Sequence, residues 1–144
     1  MAIKAEDYKK YLVENKSLVL ATVGEDQTPQ VRHIGGYNLD GNDIVFLTGK
    51  DTTKTKEIAK NNYVTLLFQQ EGQSAPKNIT VYGVAQELTG DEAVQGAKLV
   101  TERRPQLTYD PEKNKVYRVK AEKIKLLDFA SEEKIQSISV DELV

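Results

Sequence analysis

Residues 30–60 have the sequence QVRHIGGYNLDGNDIVFLTGKDTTKTKEIAK, and the order of patterns within them decides the predicted fold. Apolar and β-branched residues predict one strand over 30–39 and a second strand over 43–48. The Asp40-Gly41 pair between them is a strong signal for a tight hairpin turn, so the two strands are expected to pair antiparallel. The pattern then becomes helical, with Asp51 or one of the two following threonines as the N-cap of a helix that ends at Lys60.

Similar patterns continue on both sides of this stretch. They predict helices over 4–15 and 89–104, and strands over 17–23, 63–69, 78–88, 115–119 and 123–129. The tail, 131–144, fits either a weak helix or a mobile end. Tight turns favour antiparallel pairing, and helices inserted singly argue against a doubly wound parallel sheet. We therefore predict a mainly β fold of six or seven antiparallel strands, closed into a barrel with about three peripheral helices, as one domain over residues 1–144.

The composition excludes several classes of function. The chain has 144 residues, a formal net charge of -2 and 29% charged residues, which argues against nucleic-acid-binding and polybasic membrane-surface proteins. It has no cysteine, which excludes disulfides, thiolate nucleophiles and iron–sulfur clusters, and a single histidine, so we predict no metal site. We see no signal peptide and no run of about 18 apolar residues, and we therefore expect a soluble cytoplasmic protein.

The start of the helix in 30–60 is a candidate site for an anion. A helix N-terminus offers free backbone N–H groups and partial positive charge. Arg32 lies on the preceding strand, and guanidinium groups bind phosphate in a bidentate manner. Pairing through the hairpin turn brings Arg32 to the end of the sheet where the helix begins. The hydroxyl and ammonium groups there belong to Thr48, Thr52, Thr53, Lys50 and Lys54.

Each of these residues also has a simpler interpretation. Threonine and aspartate are ordinary helix caps, and lysine in a first turn usually faces solvent. Arg32 fits a surface ion pair, and His33 fits a strand histidine without a catalytic role. The residue types alone therefore leave both interpretations open.

Between about Leu18 and Gly83 the chain resembles the pyridoxamine 5'-phosphate oxidase-like, FMN-binding split-barrel superfamily. The end of the chain, 116–129, resembles the last hairpin of small members known as general stress proteins. The resemblance lies in an ordered series of segments: LATV (20–23), TPQVRHI (28–34), DGNDIVFLT (40–48), TKTKEI (53–58), NNYVTLLF (61–68) and VYRVKAEKIKLLDF (116–129). It implies that the predicted barrel is a split barrel.

The resemblance also implies FMN held at the interface of a homodimer. The residues it assigns to the ribityl phosphate are Arg32, Thr48, Thr53 and Lys54. Those it assigns to the isoalloxazine ring are the backbone of His33, Ile34 and Gly35, together with Leu47 and Asn78. Thr53 stands where the oxidases usually have arginine, and Asn78 stands where they commonly have glutamine. The first departure is expected to weaken the phosphate site without abolishing it, and the Asn78 amide can still form a hydrogen bond to the ring, with shorter reach.

The resemblance stops short of the oxidases' substrate site. Those enzymes carry a C-terminal tryptophan segment and an Arg-x-His motif, whereas this chain has no tryptophan and its single histidine is His33. We therefore expect an FMN-dependent oxidoreductase for an unidentified small molecule, not a pyridoxamine 5'-phosphate oxidase. Its catalytic residues are not identified; His33, Tyr37 and Tyr82 are candidates by position. The alternatives are a non-catalytic flavin-, haem- or deazaflavin-binding protein, a stress-related binding protein, or a barrel that serves as an interaction surface.

Overall fold

The computed structural model describes residues 3–70, 72 and 74–144. In these residues the protein has eight strands in one antiparallel sheet, three α-helices and a short 3-10 helix over Val140–Glu142. The helices are α1 (Ala5–Glu14), α2 (Thr53–Lys60) and α3 (Gly90–Arg103). The strands are β1 (Leu18–Val23), β2 (Pro29–Ile34), β3 (Tyr37–Asp40), β4 (Asp43–Gly49), β5 (Tyr63–Phe68), β6 (Lys77–Leu88), β7 (Asn114–Asp128) and β8 (Ile135–Ser139). The predicted mainly β, antiparallel architecture is confirmed.

The sheet curls into a half-barrel because its two end strands are neighbours in the chain. The strand order is β2-β1-β5-β6-β7-β4-β3, with β8 paired to β7. Only Gly35 and Gly36 separate β2 from β3, and the Leu47 N–H of β4 donates a hydrogen bond to the Gly36 carbonyl at 2.9 Å. This closure brings β2 close to the end of β4, where the chain enters α2.

Four of the predicted segments were wrong in their extent or type. The single strand expected over 30–39 is interrupted at Gly35-Gly36 and forms β2 and β3, because the chain turns there to close the barrel. The two strands expected over 115–119 and 123–129 are one continuous strand, β7, which stays paired with β6 along its length. The tail is neither a weak helix nor a mobile end, since β8 pairs with β7 and Ile138 packs against the core.

The interior of the half-barrel contains the main core. Along β1, Leu18, Leu20 and Thr22 are buried, while the residues between them face outwards and are partly exposed. This alternation is what a strand produces when one face packs against a core. The largest fully buried side chains of this core come from α1 and from five strands: Tyr8, Leu12, Leu18, Leu20, Tyr37, Ile44, Phe46, Leu66, Phe68 and Ile124. A smaller cluster lies between α3 and the sheet and contains Val45, Leu88, Ala93, Ala97, Val100 and Val116.

Two arginines at the end of α3 hold the C-terminal end of α1. The Arg103 guanidinium donates to the carbonyls of Val13, Asn15, Gly35 and Tyr37. It also lies 4.0 Å from the centre of the Tyr37 ring. Arg104 donates to the Lys16 carbonyl. The last carbonyls of a helix lack partners within the helix and carry partial negative charge, so cationic donors are well suited to this position.

Tyr37 completes this contact from inside the core. Its hydroxyl donates to the carbonyls of Leu12 and Asn15 at 2.6 and 2.8 Å, and the side chain is fully buried. Burial raises the pKa of the Tyr37 hydroxyl to about 12. The hydroxyl therefore stays protonated and serves as a donor that anchors α1 to the closing turn of the barrel.

None of the helices in the described residues is long and apolar enough to cross a membrane.

Gly83 allows β6 to approach β7 at a bulge. Tyr82 is paired with Lys123 and Gly83 with Ala121, so the register passes over Glu122. A Cβ atom on Gly83 would lie 2.3 Å from the Lys120 carbonyl oxygen, which is backbone and cannot move aside as a flexible side chain would. Glycine is therefore required at position 83 by packing.

Gly83→Ala is expected to lower the free energy of unfolding by about 3 kcal/mol, since the added methyl group forces the two strands apart. Urea unfolding measures this difference directly. Gly35→Ala is the matched control, because the nearest atom to its Cβ would be the Lys16 carbonyl oxygen at 3.9 Å. If both variants unfolded at the wild-type urea concentration, the close approach of β6 to β7 would be wrong.

Candidate functional site

The N-terminus of α2 is built by a threonine cap. Of the three candidates from the sequence, Thr52 is the N-cap. Its side chain accepts a hydrogen bond from the Thr55 N–H at 3.4 Å, and the Thr52 N–H donates to Thr55 Oγ1 at 3.2 Å. This reciprocal pair fixes where the helix begins. The first turn, 53–56, consists of two threonines and two lysines, so its side chains add to the positive end of the helix dipole.

Arg32 reaches from β2 to α2 and forms a nearly buried ion pair there. Its Nη2 donates to Glu57 Oε1 at 2.9 Å, and its Nη1 donates to Thr22 Oγ1 at 2.7 Å. Thr22 Oγ1 in turn donates to the same Glu57 oxygen at 2.7 Å. The Glu57 side chain is 8% exposed and that of Arg32 is 22% exposed. Arg32 therefore does form an ion pair, as its simpler interpretation predicted, but the pair is not a surface contact because its acidic partner is buried.

Lys54 lies close enough to Arg32 for their charges to interact. Its pKa is lowered by burial and, to a smaller extent, by the positive charge of Arg32. Two of the residues predicted to bind phosphate, Arg32 from β2 and Lys54 from the first turn of α2, thus lie within range of each other's charge, and Arg32 contacts α2 directly at Glu57. An anion placed between two like charges relieves their mutual repulsion, which favours its binding.

The two predicted threonines occupy different surroundings. Thr53 lines a cavity of about 460 Å³ together with charged residues that include Lys56, Glu57 and Lys60. Thr48 is buried near the end of β4, opposite Lys115 of β7. Thr53 thus lies on the α2 surface beside Glu57, while Thr48 lies inside the sheet two residues before the loop that leads to the helix.

The predicted ring residues divide between the outer face and the interior. His33 and Asn78 are on the outer face of the sheet. The Nδ1 atom of His33 lies 3.3 Å from Ser17 Oγ, and the His33 side chain borders a cavity of about 570 Å³. Ile34 is buried in the main core, and Leu47 packs against the α3 cluster. Gly35 is exposed, and its carbonyl accepts a hydrogen bond from Arg103. Contact of these five residues with a flavin ring stays a prediction.

The outer face of the sheet is apolar over four neighbouring strands. Val31 of β2 and Tyr63 of β5 are 67% and 66% exposed. The same face carries Val19, Ala21, Leu67 and Tyr82. Exposed apolar patches of this kind mark interaction surfaces.

Thr22 and Glu57 were not predicted from the sequence as members of this site. Thr22 gave a usable signal, because a hydroxyl in the buried row of Leu18 and Leu20 requires a hydrogen-bond partner. The helical period also places Glu57 between Thr53 and Lys54 when α2 is viewed along its axis. What the sequence could not give is the pairing, since Thr22 and Glu57 are 35 residues apart.

Of the candidates for a proton donor, Tyr37 is excluded by its surroundings. Its buried hydroxyl is bonded to two carbonyls and is fixed in that role. Tyr82 and His33 both lie on the outer face, where Lys123 approaches the Tyr82 ring to 5.9 Å.

The comparisons with known proteins identify both a family and similar folds. The family model described as pyridoxamine 5'-phosphate oxidase matches residues 5–128. A protein related to general stress protein 26 from Clostridium acetobutylicum has a TM-score of 0.75 at 16% identity, with 97% of this chain and 96% of that chain covered. A NimC/NimA family protein from the same organism has a TM-score of 0.73 at 17% identity, covering 94% and 92%.

A heme binding protein from Mycobacterium smegmatis is also similar in fold. Its TM-score is 0.78 at 14% identity, and the match covers 99% of this chain but 60% of that protein. At such identities the likeness to these three structures concerns the fold alone.

Proposed function

Because the chain belongs to the pyridoxamine 5'-phosphate oxidase family, we propose that it binds FMN and uses it in the oxidation or reduction of a small molecule. The observation that carries this proposal is that the Arg32 guanidinium reaches from β2 to α2, where it bonds Glu57 at 2.9 Å and where Lys54 lies within range of its charge. Both are cationic donors, and one of them can bind an oxyanion in a bidentate manner.

The residues present fit the phosphate end of FMN. Arg32 and Lys54 supply positive charge, Thr53 supplies a hydroxyl group, and the first turn of α2 supplies backbone N–H groups. Glu57 offsets part of this charge, so the cluster of Arg32, Lys54 and Glu57 has a net charge of +1. We therefore expect the site to bind a phosphate monoester with moderate affinity.

When bound, FMN supplies hydride or electron transfer, while the protein binds and orients it. In this proposal Arg32, Lys54, Thr53 and Thr48 hold the phosphate end. The backbone of His33, Ile34 and Gly35 borders the ring, with Leu47 and Asn78. Pyridoxamine 5'-phosphate is not proposed as the substrate, because the chain has no tryptophan and its histidine is on β2.

We propose that the protein is a homodimer with the flavin at the subunit interface. The apolar outer face, with Val31 and Tyr63 exposed, supports this arrangement because a partner would remove it from water. The outer face also carries His33 and Asn78, two of the residues proposed to lie near the ring.

A second candidate is a protein that binds a flavin, a deazaflavin or haem without turnover. One observation favours haem: exposed His33 borders a cavity of about 570 Å³, and one protein of similar fold is described as heme binding. Titration with haemin separates the candidates. A Soret band that shifts in wild type and not in His33→Ala supports haem, whereas a flavin spectrum that NADH or NADPH can bleach supports the oxidoreductase.

Lys54→Gln is expected to weaken FMN binding about tenfold while leaving riboflavin binding unchanged, since riboflavin lacks the phosphate. Quenching of flavin fluorescence on titration measures both affinities. Lys56→Gln is the matched control, because it removes the same charge from the opposite side of α2. An equal loss in Lys56→Gln would contradict a phosphate held between Arg32 and Lys54, and would place it on the side of α2 where Lys56 and Lys60 line a cavity.

A further inference from the structure

The bonds made by Arg32 use one edge of its guanidinium group. Nη1 donates to Thr22 Oγ1 and Nη2 donates to Glu57 Oε1, and Thr22 Oγ1 closes the ring by donating to the same carboxylate oxygen. Nη1 also lies 3.3 Å from the carbonyls of Leu20 and Gln30. Together these contacts occupy the Nη1–Nη2 edge of the group.

The other edge remains available for a ligand. Nε–H and the second Nη2–H point the same way and form a two-pronged donor that matches an oxyanion. Within the described residues, the Nε–H of Arg32 has no hydrogen-bond partner. This Nε atom is not among the buried side-chain atoms that lack a partner, so it keeps contact with solvent, and the side chain as a whole is 22% exposed.

We infer that Glu57, together with Thr22, positions Arg32 to present its Nε–Nη2 edge to a phosphate and sets the strength with which the site binds that phosphate. This inference rests on the proposed function for the identity of the ligand. Glu57 acts through Arg32, so it is a positioning residue. Its carboxylate also lowers the attraction of the site for an anion.

The two effects of Glu57 have opposite signs and can be separated. A phosphate monoester carries about −1.5 to −2 charges at pH 7, and the carboxylate that opposes it is held 2.9 Å from Arg32. Removing the charge of Glu57 while keeping an acceptor oxygen should therefore tighten phosphate binding. Removing the Thr22 hydroxyl leaves every charge in place and loosens the guanidinium, which should weaken binding.

The test compares Glu57→Gln and Thr22→Val with wild type by fluorescence titration of FMN and riboflavin. Glu57→Gln is expected to raise the affinity for FMN about threefold to tenfold at low ionic strength, with a smaller gain in high salt because charges are screened there. Thr22→Val is expected to lower it by a similar factor. Riboflavin affinity should stay the same in both. An unchanged ratio of FMN to riboflavin affinity in both variants would overturn the inference, as would weaker FMN binding by Glu57→Gln.

A second measurement does not depend on flavin. The Nε–H signal of Arg32 in a nitrogen-15 NMR spectrum can be assigned by its loss in Arg32→Lys. Titration with inorganic phosphate should shift this signal in wild type and shift it at lower concentration in Glu57→Gln. If phosphate produces these shifts while FMN fails to bind, the inference holds and the proposed function fails. If FMN binds and neither FMN nor phosphate shifts the signal, the inference fails and FMN binding stands.

Discussion

Arg32→Ala is expected to lower the free energy of unfolding by about 3–5 kcal/mol, because it leaves the Glu57 carboxylate buried without its cation. Glu57 is only 8% exposed, and its other close partner, Thr22, is a neutral hydroxyl at 2.7 Å. Removal of one member of a buried ion pair costs far more than the pair contributes, since the remaining charge cannot return to water. Urea unfolding of wild type and variant measures the loss.

The control is the double variant Arg32→Gln with Glu57→Gln. It removes both charges and keeps groups that can form hydrogen bonds, so most of the lost stability is expected to return. A loss below about 1 kcal/mol in Arg32→Ala would mean that Glu57 is solvated and that the ion pair is a surface contact. The same loss in the double variant as in Arg32→Ala would also contradict a buried unpaired charge.

The stability loss expected for Arg32→Ala limits the use of this variant as a test of phosphate binding. Arg32→Ala changes stability and ligand binding together, so a lower FMN affinity in that variant would be ambiguous. Lys54→Gln leaves the ion pair intact, and Glu57→Gln keeps an acceptor oxygen for Arg32, which is the more exposed member of the pair, so both are sharper probes.

Arg103→Ala is expected to cost about 2–4 kcal/mol of stability. The guanidinium group donates to four carbonyl oxygens, on Val13, Asn15, Gly35 and Tyr37, and lies 4.0 Å from the Tyr37 ring. Hydrogen bonds to charged groups and cation–π contacts account for a loss of this size. Because the contact ties α1 to the turn that closes the barrel, the melting temperature should fall as well.

Arg103→Lys separates the charge from the shape of the group. Lysine keeps the charge but cannot reproduce the planar fork, so it should recover less than half of the loss. Lys98→Ala, on the exposed side of α3, should change stability by no more than about 0.5 kcal/mol. Full stability in Arg103→Lys would reduce the role of Arg103 to a general charge effect at the end of α1.

Local patterns predicted most of the fold. The Asp40-Gly41 turn joins β3 to β4 as expected, and the capping residues place α2 and α3 within a few residues. The errors occurred where long-range contacts decide. Gly35-Gly36 ends β2 because the barrel closes there, and β7 runs through Glu122 because pairing with β6 continues on both sides of a bulge. The tail becomes β8 because β7 offers it an edge to pair with.

The cationic residues of the site were predicted from the sequence, whereas the carboxylate was not. Arg32 and Lys54 were predicted to share one anion; the structure shows Arg32 bonded to α2 at Glu57, with Lys54 within range of its charge, and the shared anion stays a prediction. Glu57 was overlooked because an acidic residue on a short, highly charged helix usually faces solvent. Its burial follows from the packing of α2 over the end of β1, where it meets Thr22.

The most direct test of the account is a crystal structure of the protein grown with FMN. The expected result is phosphate oxygens at about 2.7–3.2 Å from Arg32 Nε and Lys54 Nζ, with Glu57 still bonded to Nη2 of Arg32. It would be contradicted by FMN bound with its phosphate elsewhere on the chain, or by an Arg32 side chain turned away from the bound phosphate.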